Sequence, residues 1–138
     1  MADRMNTPVE SLSVLIADDD PIFCNMLQLT LEQNGFADIA TASNGRKVRD
    51  HIHAGRKVDV ITLDLNMPDY DGVEVLNMLA KAGFDGLVIL ISGADKAIVE
   101  AASVYAEATL SRKPVVFTKP VNWDRIANRI LEFAVRAK

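Results

Sequence analysis

The chain is poor in the residues that mark several large classes of protein. It holds one cysteine, Cys24, so no disulfide can form within the chain, and no group of cysteines and histidines has the spacing of zinc ligands. We therefore predict a reducing compartment, the cytoplasm, and a packing role for Cys24. No apolar run approaches the ~18 residues of a membrane span, and the first residues lack the apolar stretch of a signal peptide.

Positive charge and glycine-rich phosphate motifs are also scarce. Nineteen acidic residues against fifteen basic ones give a net charge of -4, so there is no overall positive field to attract a nucleic acid or an anionic membrane. Neither Gly-x-x-x-x-Gly-Lys-Ser/Thr nor Gly-x-Gly-x-x-Gly occurs. We expect no direct nucleic-acid partner and exclude a P-loop nucleotide hydrolase.

What the chain does contain is typical of a folded α/β protein. Its 138 residues, 49% of them hydrophobic, are enough for one domain. Short apolar segments alternate five times with longer segments of helical spacing, which indicates a parallel sheet covered on both faces by helices. We predict strands at 13–17, 39–42, 58–63, 87–91 and 115–118, and helices at about 21–33, 45–54, 72–82, 95–108 and 123–136. In the first helix we expect the core-facing stripe to consist of Ile22, Met26, Leu27 and residues 29–31.

Polar side chains follow most of these strands. Residues 18–20 are three aspartates after the first strand, Asp64 follows the third, Ser92 the fourth and Lys119 the fifth. Because ligands of such sheets bind beyond the carboxyl ends of the strands, we expect these side chains to form the functional site.

These residue types suit phosphoryl chemistry on a carboxylate. Asp18, Asp19 and Asp64 would repel one another unless a hard divalent cation such as Mg²⁺ bound between them. Asp64, held rigidly by a buried strand, could act as a nucleophile toward phosphorus, while Lys119 neutralised the charge on the phosphoryl oxygens. The Ser92 hydroxyl could reach a phosphoryl oxygen on Asp64.

Simpler interpretations exist for each residue alone. The aspartate triplet could be a solvated turn with a helix cap, and Asp64 could cap the next turn.

A phosphatase of the haloacid-dehalogenase type needs a second acid two residues after the nucleophile, where this chain has Asn66. A metal-dependent nuclease of the toprim sort could use Asp18 and Asp20, but the acidic charge balance disfavours it.

Four segments carry a resemblance to a known family. They are residues 14–21, VLIADDDP; residues 59–72, DVITLDLNMPDYDG; residues 90–93, LISG; and residues 117–120, FTKP. The sequence resembles the receiver domain of two-component response regulators from about residue 11 to residue 135. We therefore expect a doubly wound, flavodoxin-like (βα)₅ fold with strand order 2-1-3-4-5, and we divide the chain into a leader, 1–10, and a receiver domain, 11–138.

The resemblance also implies roles for individual residues. Asp64 would accept a phosphoryl group from a phosphohistidine on a histidine kinase or a histidine phosphotransfer protein. Asp18, Asp19, the Asp64 carboxylate and the backbone carbonyl of Asn66 would hold Mg²⁺. Lys119 would pair with the phosphorylated aspartate, and Ser92 would be the switch hydroxyl.

Further implications concern the backbone and the output. The bond between Lys119 and Pro120 is expected to be cis, and Gly72 is expected where a side chain would crowd the backbone. The surface formed by the fourth helix, the fifth strand and the fifth helix would control a downstream protein. A phosphorylation-dependent dimer is a further possible partner.

Two departures from the family pattern stand out. The aromatic residue that usually lies three positions before the lysine is Val116 here, and Phe117 should point to the opposite face of the strand. The segment between Ser92 and Lys119 is longer than is typical of the family, which predicts an extended fourth helix or a longer connection between that helix and the fifth strand. The alternative function is a degenerate receiver that acts as a phosphorylation-independent protein-interaction module.

Overall fold

The structure is a computed structural model that describes residues 8–67, 72–93 and 95–136. Residues 1–7 of the predicted leader lie outside the described residues, as do residues 68–71 of the second motif. The described chain opens with a short 3₁₀ helix, Val9–Ser11, in which Val9 packs against the core.

Strands and helices alternate along the described chain. The strands are β1 (Ser13–Ala17), β2 (Asp38–Ala42), β3 (Val60–Asp64), β4 (Leu87–Ser92) and β5 (Val115–Thr118). The helices are α1 (Pro21–Gln33), α2 (Gly45–His53), α3 (Gly72–Lys81), α4 (Lys96–Thr109) and α5 (Trp123–Arg136). All four neighbouring strand pairs are parallel and the order is β2-β1-β3-β4-β5, which confirms the predicted fold class.

The element boundaries differ from the predictions by one or two residues. The largest difference is in β3, which begins at Val60 rather than at residue 58 and includes Asp64. Asp59 joins the start of β1 instead: its side chain accepts a hydrogen bond from Ser13 N at 2.9 Å, and its amide donates to Ser13 O at 2.8 Å. Regular pairing therefore starts one residue later. β4 likewise includes Ser92.

Each face of the sheet carries its own core. Alternate residues of β1 point to opposite faces, so Val14 and Ile16 join the core under α1 and α5, whereas Leu15 and Ala17 join the core under α2, α3 and α4. Both faces of β1, β3 and β4 are buried, as a parallel sheet between two helical layers requires.

The predicted apolar stripe of α1 is partly wrong. Ile22 is 72% exposed, Leu29 50% and Met26 41%, while the buried side chains of the helix are Phe23, Cys24, Leu27, Thr30 and Leu31. The helix is apolar on most of its circumference, so helical spacing alone does not select the side that faces the sheet.

Helix α4 accounts for most of the long segment that precedes β5. This helix spans 14 residues, and residues 110–114 connect it to β5. Asp95 caps its start, since the side chain accepts hydrogen bonds from Ala97 N at 3.0 Å and Ile98 N at 3.3 Å.

Candidate functional site

The chemistry-bearing residues meet at the carboxyl edge of the sheet because backbone pairing continues past the strand ends. Asp18 N donates to Ala42 O at 3.0 Å, and Lys119 N donates to Ser92 O at 2.7 Å. Asp64 pairs in register with Ile91 on the neighbouring strand. The predicted convergence of these side chains at one edge therefore occurs.

The turn between β1 and α1 is built on its aspartates. Asp18 Oδ1 accepts a hydrogen bond from Asp20 N, and Asp20 Oδ1 accepts one from Ile22 N, each at 2.9 Å. Pro21 occupies the first position of α1, where no amide donor is needed. Asp20 is thus the helix cap, as predicted, and Asp18 is turned toward the inside.

Three carboxylates form a compact cluster. Asp18, Asp19 and Asp64 each place one carboxylate oxygen within 4.8 Å of the others. The side chains of Asp18 and Asp64 are buried, at 1% and 4% exposure, while Asp19 is open to solvent. Asp64 Oδ1 accepts a hydrogen bond from Asn66 N at 3.0 Å, which leaves Oδ2 available to other groups of the site.

Lys119 is the cation of the site. Its Nζ lies 3.2 Å from Asp18 Oδ2 and 3.7 Å from Asp64 Oδ2, and the peptide bond to Pro120 is cis, as expected. The same ammonium stands 4.6 Å from the centroid of the Phe23 ring. One lysine thus bridges two buried carboxylates and faces an aromatic ring.

Burial and neighbouring charges shift the pKa values of Asp64 and Lys119. Burial raises the pKa of Asp64 from 3.8 to about 6; the Asn66 amide opposes this effect, and the Asp18 carboxylate adds to it. Burial alone would lower the pKa of Lys119, but the carboxylates of Asp64 and Asp18 outweigh it, so the pKa is raised. The ammonium therefore remains charged across the physiological pH range.

The acidic cluster fits a hard divalent cation. Asp18 Oδ2 is buried, and no hydrogen bond reaches it from the described residues; its contact with Lys119 is a salt bridge. Mg²⁺ takes oxygen ligands, usually one or two carboxylates together with waters or phosphate oxygens. The exposed position of Asp19 keeps one side of the cluster open to solvent and to a phosphoryl group.

Ser92 and Gly72 occupy the rim of the site. Ser92 is 1% exposed and lines a cavity of about 220 Å³ together with Val99 and Thr118. At Gly72, an added Cβ would overlap the Leu65 side chain and would lie 3.3 Å from Leu65 Cα, so the main overlap is with a side chain and the predicted crowding of the backbone is the lesser contact. A groove of about 410 Å³ lies elsewhere, beside Arg112 and Phe133, so cavity size does not mark the site.

Strand β5 has a small residue, Val116, at the position that is usually aromatic in the family pattern. Phe117 packs into the core with α1 and α5, as its position in the strand predicted, while Val116 is 39% exposed on the other face. The described face of β5 next to α4 therefore carries Val116 and Thr118.

The sequence did not predict that Cys24 and Phe23 lie next to the site residues. Cys24 is buried, as predicted, but its Sγ also donates to the carbonyl of Asp18 at 3.4 Å, and burial raises the pKa of this thiol to about 11. The predicted core-facing stripe of α1 did not include Phe23, which is buried and faces Lys119.

Comparison with known proteins identifies the family. Residues 14–131 match the model of the response regulator receiver domain, which covers most of the chain. The chain therefore belongs to the receiver domain family of two-component response regulators.

Individual relatives agree with this. The chain is similar to chemotaxis protein CheY of Bacillus subtilis, with 27% identity over 85% of this chain and 92% of that protein. It is also similar to transcriptional regulatory protein GlnL of the same organism, with 29% identity over 78% of this chain and 32% of GlnL. The chain spans between 18% and 40% of the length of the first five curated relatives it matches.

Solved structures show the same fold. The receiver domain of the Francisella response regulator 1452 has a TM-score of 0.77 and 28% identity, covering 93% of this chain and all of that one. A response regulator from Colwellia psychrerythraea has a TM-score of 0.73 and 30% identity, covering 91% of this chain and 98% of that one. Among the described residues, none of the helices has the length and apolar character needed to cross a bilayer.

Proposed function

We propose that the protein is a phosphorylation-dependent switch in which Asp64 accepts a phosphoryl group from a phosphohistidine of a histidine kinase or a histidine phosphotransfer protein. The observation that carries this proposal is the geometry of Asp64: a buried carboxylate, fixed by Asn66 N at one oxygen, whose other oxygen lies 3.7 Å from a lysine, in a cluster with two further aspartates.

The transfer uses Oδ2 of Asp64, the oxygen that does not accept the hydrogen bond from Asn66 N. Oδ2 forms the bond to phosphorus as the bond between phosphorus and the histidine nitrogen breaks, and the electron pair of that bond returns to the imidazole. Lys119, already 3.7 Å from this oxygen, is placed to neutralise charge that develops on the phosphoryl oxygens.

Asp18, Asp19, Asp64 and the backbone carbonyl of Asn66 are the proposed ligands of Mg²⁺. When bound, the ion lowers the repulsion between the carboxylates and an incoming phosphoryl group. The carboxylate cluster supports this assignment, because three carboxylates within 4.8 Å of one another repel, and the single positive charge of Lys119 offsets only part of that repulsion.

The proposed output runs through Ser92 to the surface formed by α4, β5 and α5. Ser92 borders both the site edge and the cavity beneath α4, so its hydroxyl can turn toward a phosphoryl group on Asp64. Exposed apolar side chains lie on this surface, at Ile98 and Val104 of α4 and at Val116 of β5. They support docking of a downstream protein, or of a second copy in a phosphorylation-dependent dimer.

We propose that these events occur in the cytoplasm, within a receiver unit of residues 11–138 that follows a leader of residues 1–10. The acidic charge balance favours protein partners over nucleic acid.

The test is phosphorylation by acetyl phosphate with Mg²⁺, followed by intact-protein mass measurement. We expect one phosphoryl group on the wild type and on Asp124→Asn, an exposed acid on α5 that serves as the control. Asp64→Asn should remain unmodified. A wild type without the adduct would favour the phosphorylation-independent module, and an adduct that persists in Asp64→Asn would refute the choice of acceptor.

A further inference from the structure

An aromatic pair lies directly against the cation of the site. The Phe23 ring on α1 faces Lys119 Nζ at 4.6 Å from its centroid. The ring of Trp123 on α5 lies 4.9 Å from the Phe23 ring, centroid to centroid, and is tilted by 52° to it. Phe23 is 7% exposed, so its ring is fixed within the core that α1 and α5 share.

This arrangement meets a physical need of Lys119. A lysine side chain has a flexible four-carbon stem with many rotamers, so an ammonium that must stay near two carboxylates has to be held. The carboxylates of Asp18 and Asp64 attract it from one side. The negative face of an aromatic ring within ~6 Å attracts a cation as well, and more strongly where water is partly excluded.

The start of α1 positions the Phe23 ring close to Asp18. Asp20 caps α1 and Pro21 begins it, so Phe23 lies in the first helical turn, a few residues from Asp18. The start of this helix therefore sets the positions of both the ring and the acid that Lys119 contacts.

We propose that Phe23 is a positioning residue that holds the Lys119 ammonium in place for phosphoryl transfer, with Trp123 of α5 packed against the Phe23 ring. Phe23 contacts no reacting atom in this proposal and acts through Lys119. The rate effect rests on the proposed function of Asp64, whereas the contact itself does not.

The first test measures the rate of phosphorylation by acetyl phosphate. Phe23→Leu retains apolar volume but removes the π face, and we expect the rate to fall by about twofold to tenfold, the range of a partly screened cation–π interaction. Phe23→Tyr retains a ring and should restore the wild-type rate. Phe36→Leu is the matched control, because Phe36 is 3% exposed in the same core but lies beyond the far end of α1.

A double-mutant comparison separates positioning from general packing. If Phe23 acts through Lys119, Phe23→Leu should slow the wild type but should not slow Lys119→Gln any further. Equal slowing in both backgrounds would overturn the proposal, as would an unchanged rate in a folded Phe23→Leu protein. Thermal melts establish folding, and Phe23→Met, which also lacks a π face, replaces the leucine variant if that one does not fold.

A second measurement decides the contact without any phosphorylation. Protons above a ring face resonate upfield, so the ε-methylene protons of Lys119 should be shifted upfield in the NMR spectrum of the wild type and of Phe23→Tyr. Phe23→Leu should abolish the shift and Phe36→Leu should keep it. If acetyl phosphate modifies no variant, the proposed function fails while this result still stands. Absence of the upfield shift in the wild type would overturn the role of Phe23.

Discussion

Replacing Asp64 by asparagine should stabilise the protein when divalent ions are removed. In the wild type the carboxylate is buried beside Asp18 and its pKa is raised from 3.8 to about 6, which means that the folded state resists its ionisation. Asparagine removes the charge, and its side-chain oxygen can still accept the hydrogen bond from Asn66 N, which is 3.0 Å from Asp64 Oδ1.

The magnitude and its pH dependence follow from linkage. Between pH 3.8 and about 6 the folded state holds a proton on Asp64 that the unfolded state has released, so the stability of the wild type falls as the pH rises through this window. One pKa unit corresponds to about 1.4 kcal/mol, so the loss approaches about 3 kcal/mol above pH 7. The free energy of unfolding of Asp64→Asn should therefore exceed that of the wild type by up to this amount at pH 8, and the difference should shrink toward pH 4.

The assay is urea denaturation of both proteins with a chelator present, at several pH values between 4 and 8. Asp85→Asn serves as the control, since this acid is exposed in the connection between α3 and β4. A difference between Asp64→Asn and the wild type that stays constant over the whole pH range would refute the reasoning, because the burial of an ionised carboxylate would then not be the cause.

Three further predictions concern the fold that supports the site. Leu27→Ala should cost about 2–5 kcal/mol of unfolding free energy because Leu27 is fully buried, whereas Ile22→Ser at the 72% exposed position should stay within about 0.5 kcal/mol; urea denaturation of both variants compares them directly. Gly72→Ala should lower the melting temperature, because its Cβ would overlap Leu65, and an unchanged melting curve would contradict this packing. Asp95→Ala should cost about 0.5–2 kcal/mol through loss of the α4 cap and should increase hydrogen exchange in the first turn of that helix.

The sheet could be predicted from the sequence because each strand is a short run of apolar residues between polar ones. The same argument predicted the site, since polar residues directly after buried strands of a parallel sheet must lie at one edge. Asp64 and Ser92 were placed just outside their strands and are in fact the last residues of β3 and β4, a difference that leaves their side chains at the predicted edge.

The orientation of α1 could not be predicted in the same way. Apolar side chains occur on both the buried and the exposed sides of this helix, so Ile22 and Leu27 look equivalent in the sequence. Only the packing of the helix against the sheet and α5 distinguishes them. The contact between Phe23 and Lys119 could not be predicted either, because it joins residues that are 96 positions apart in the chain.

The burial of Cys24 has a consequence for chemical labelling. The only thiol of the chain is held against the carbonyl of Asp18, and its pKa of about 11 keeps it protonated at neutral pH. A protonated, buried thiol reacts slowly with alkylating reagents. Its rate of alkylation therefore reports how often the first turn of α1 opens, and it does so beside the acidic cluster without an engineered cysteine.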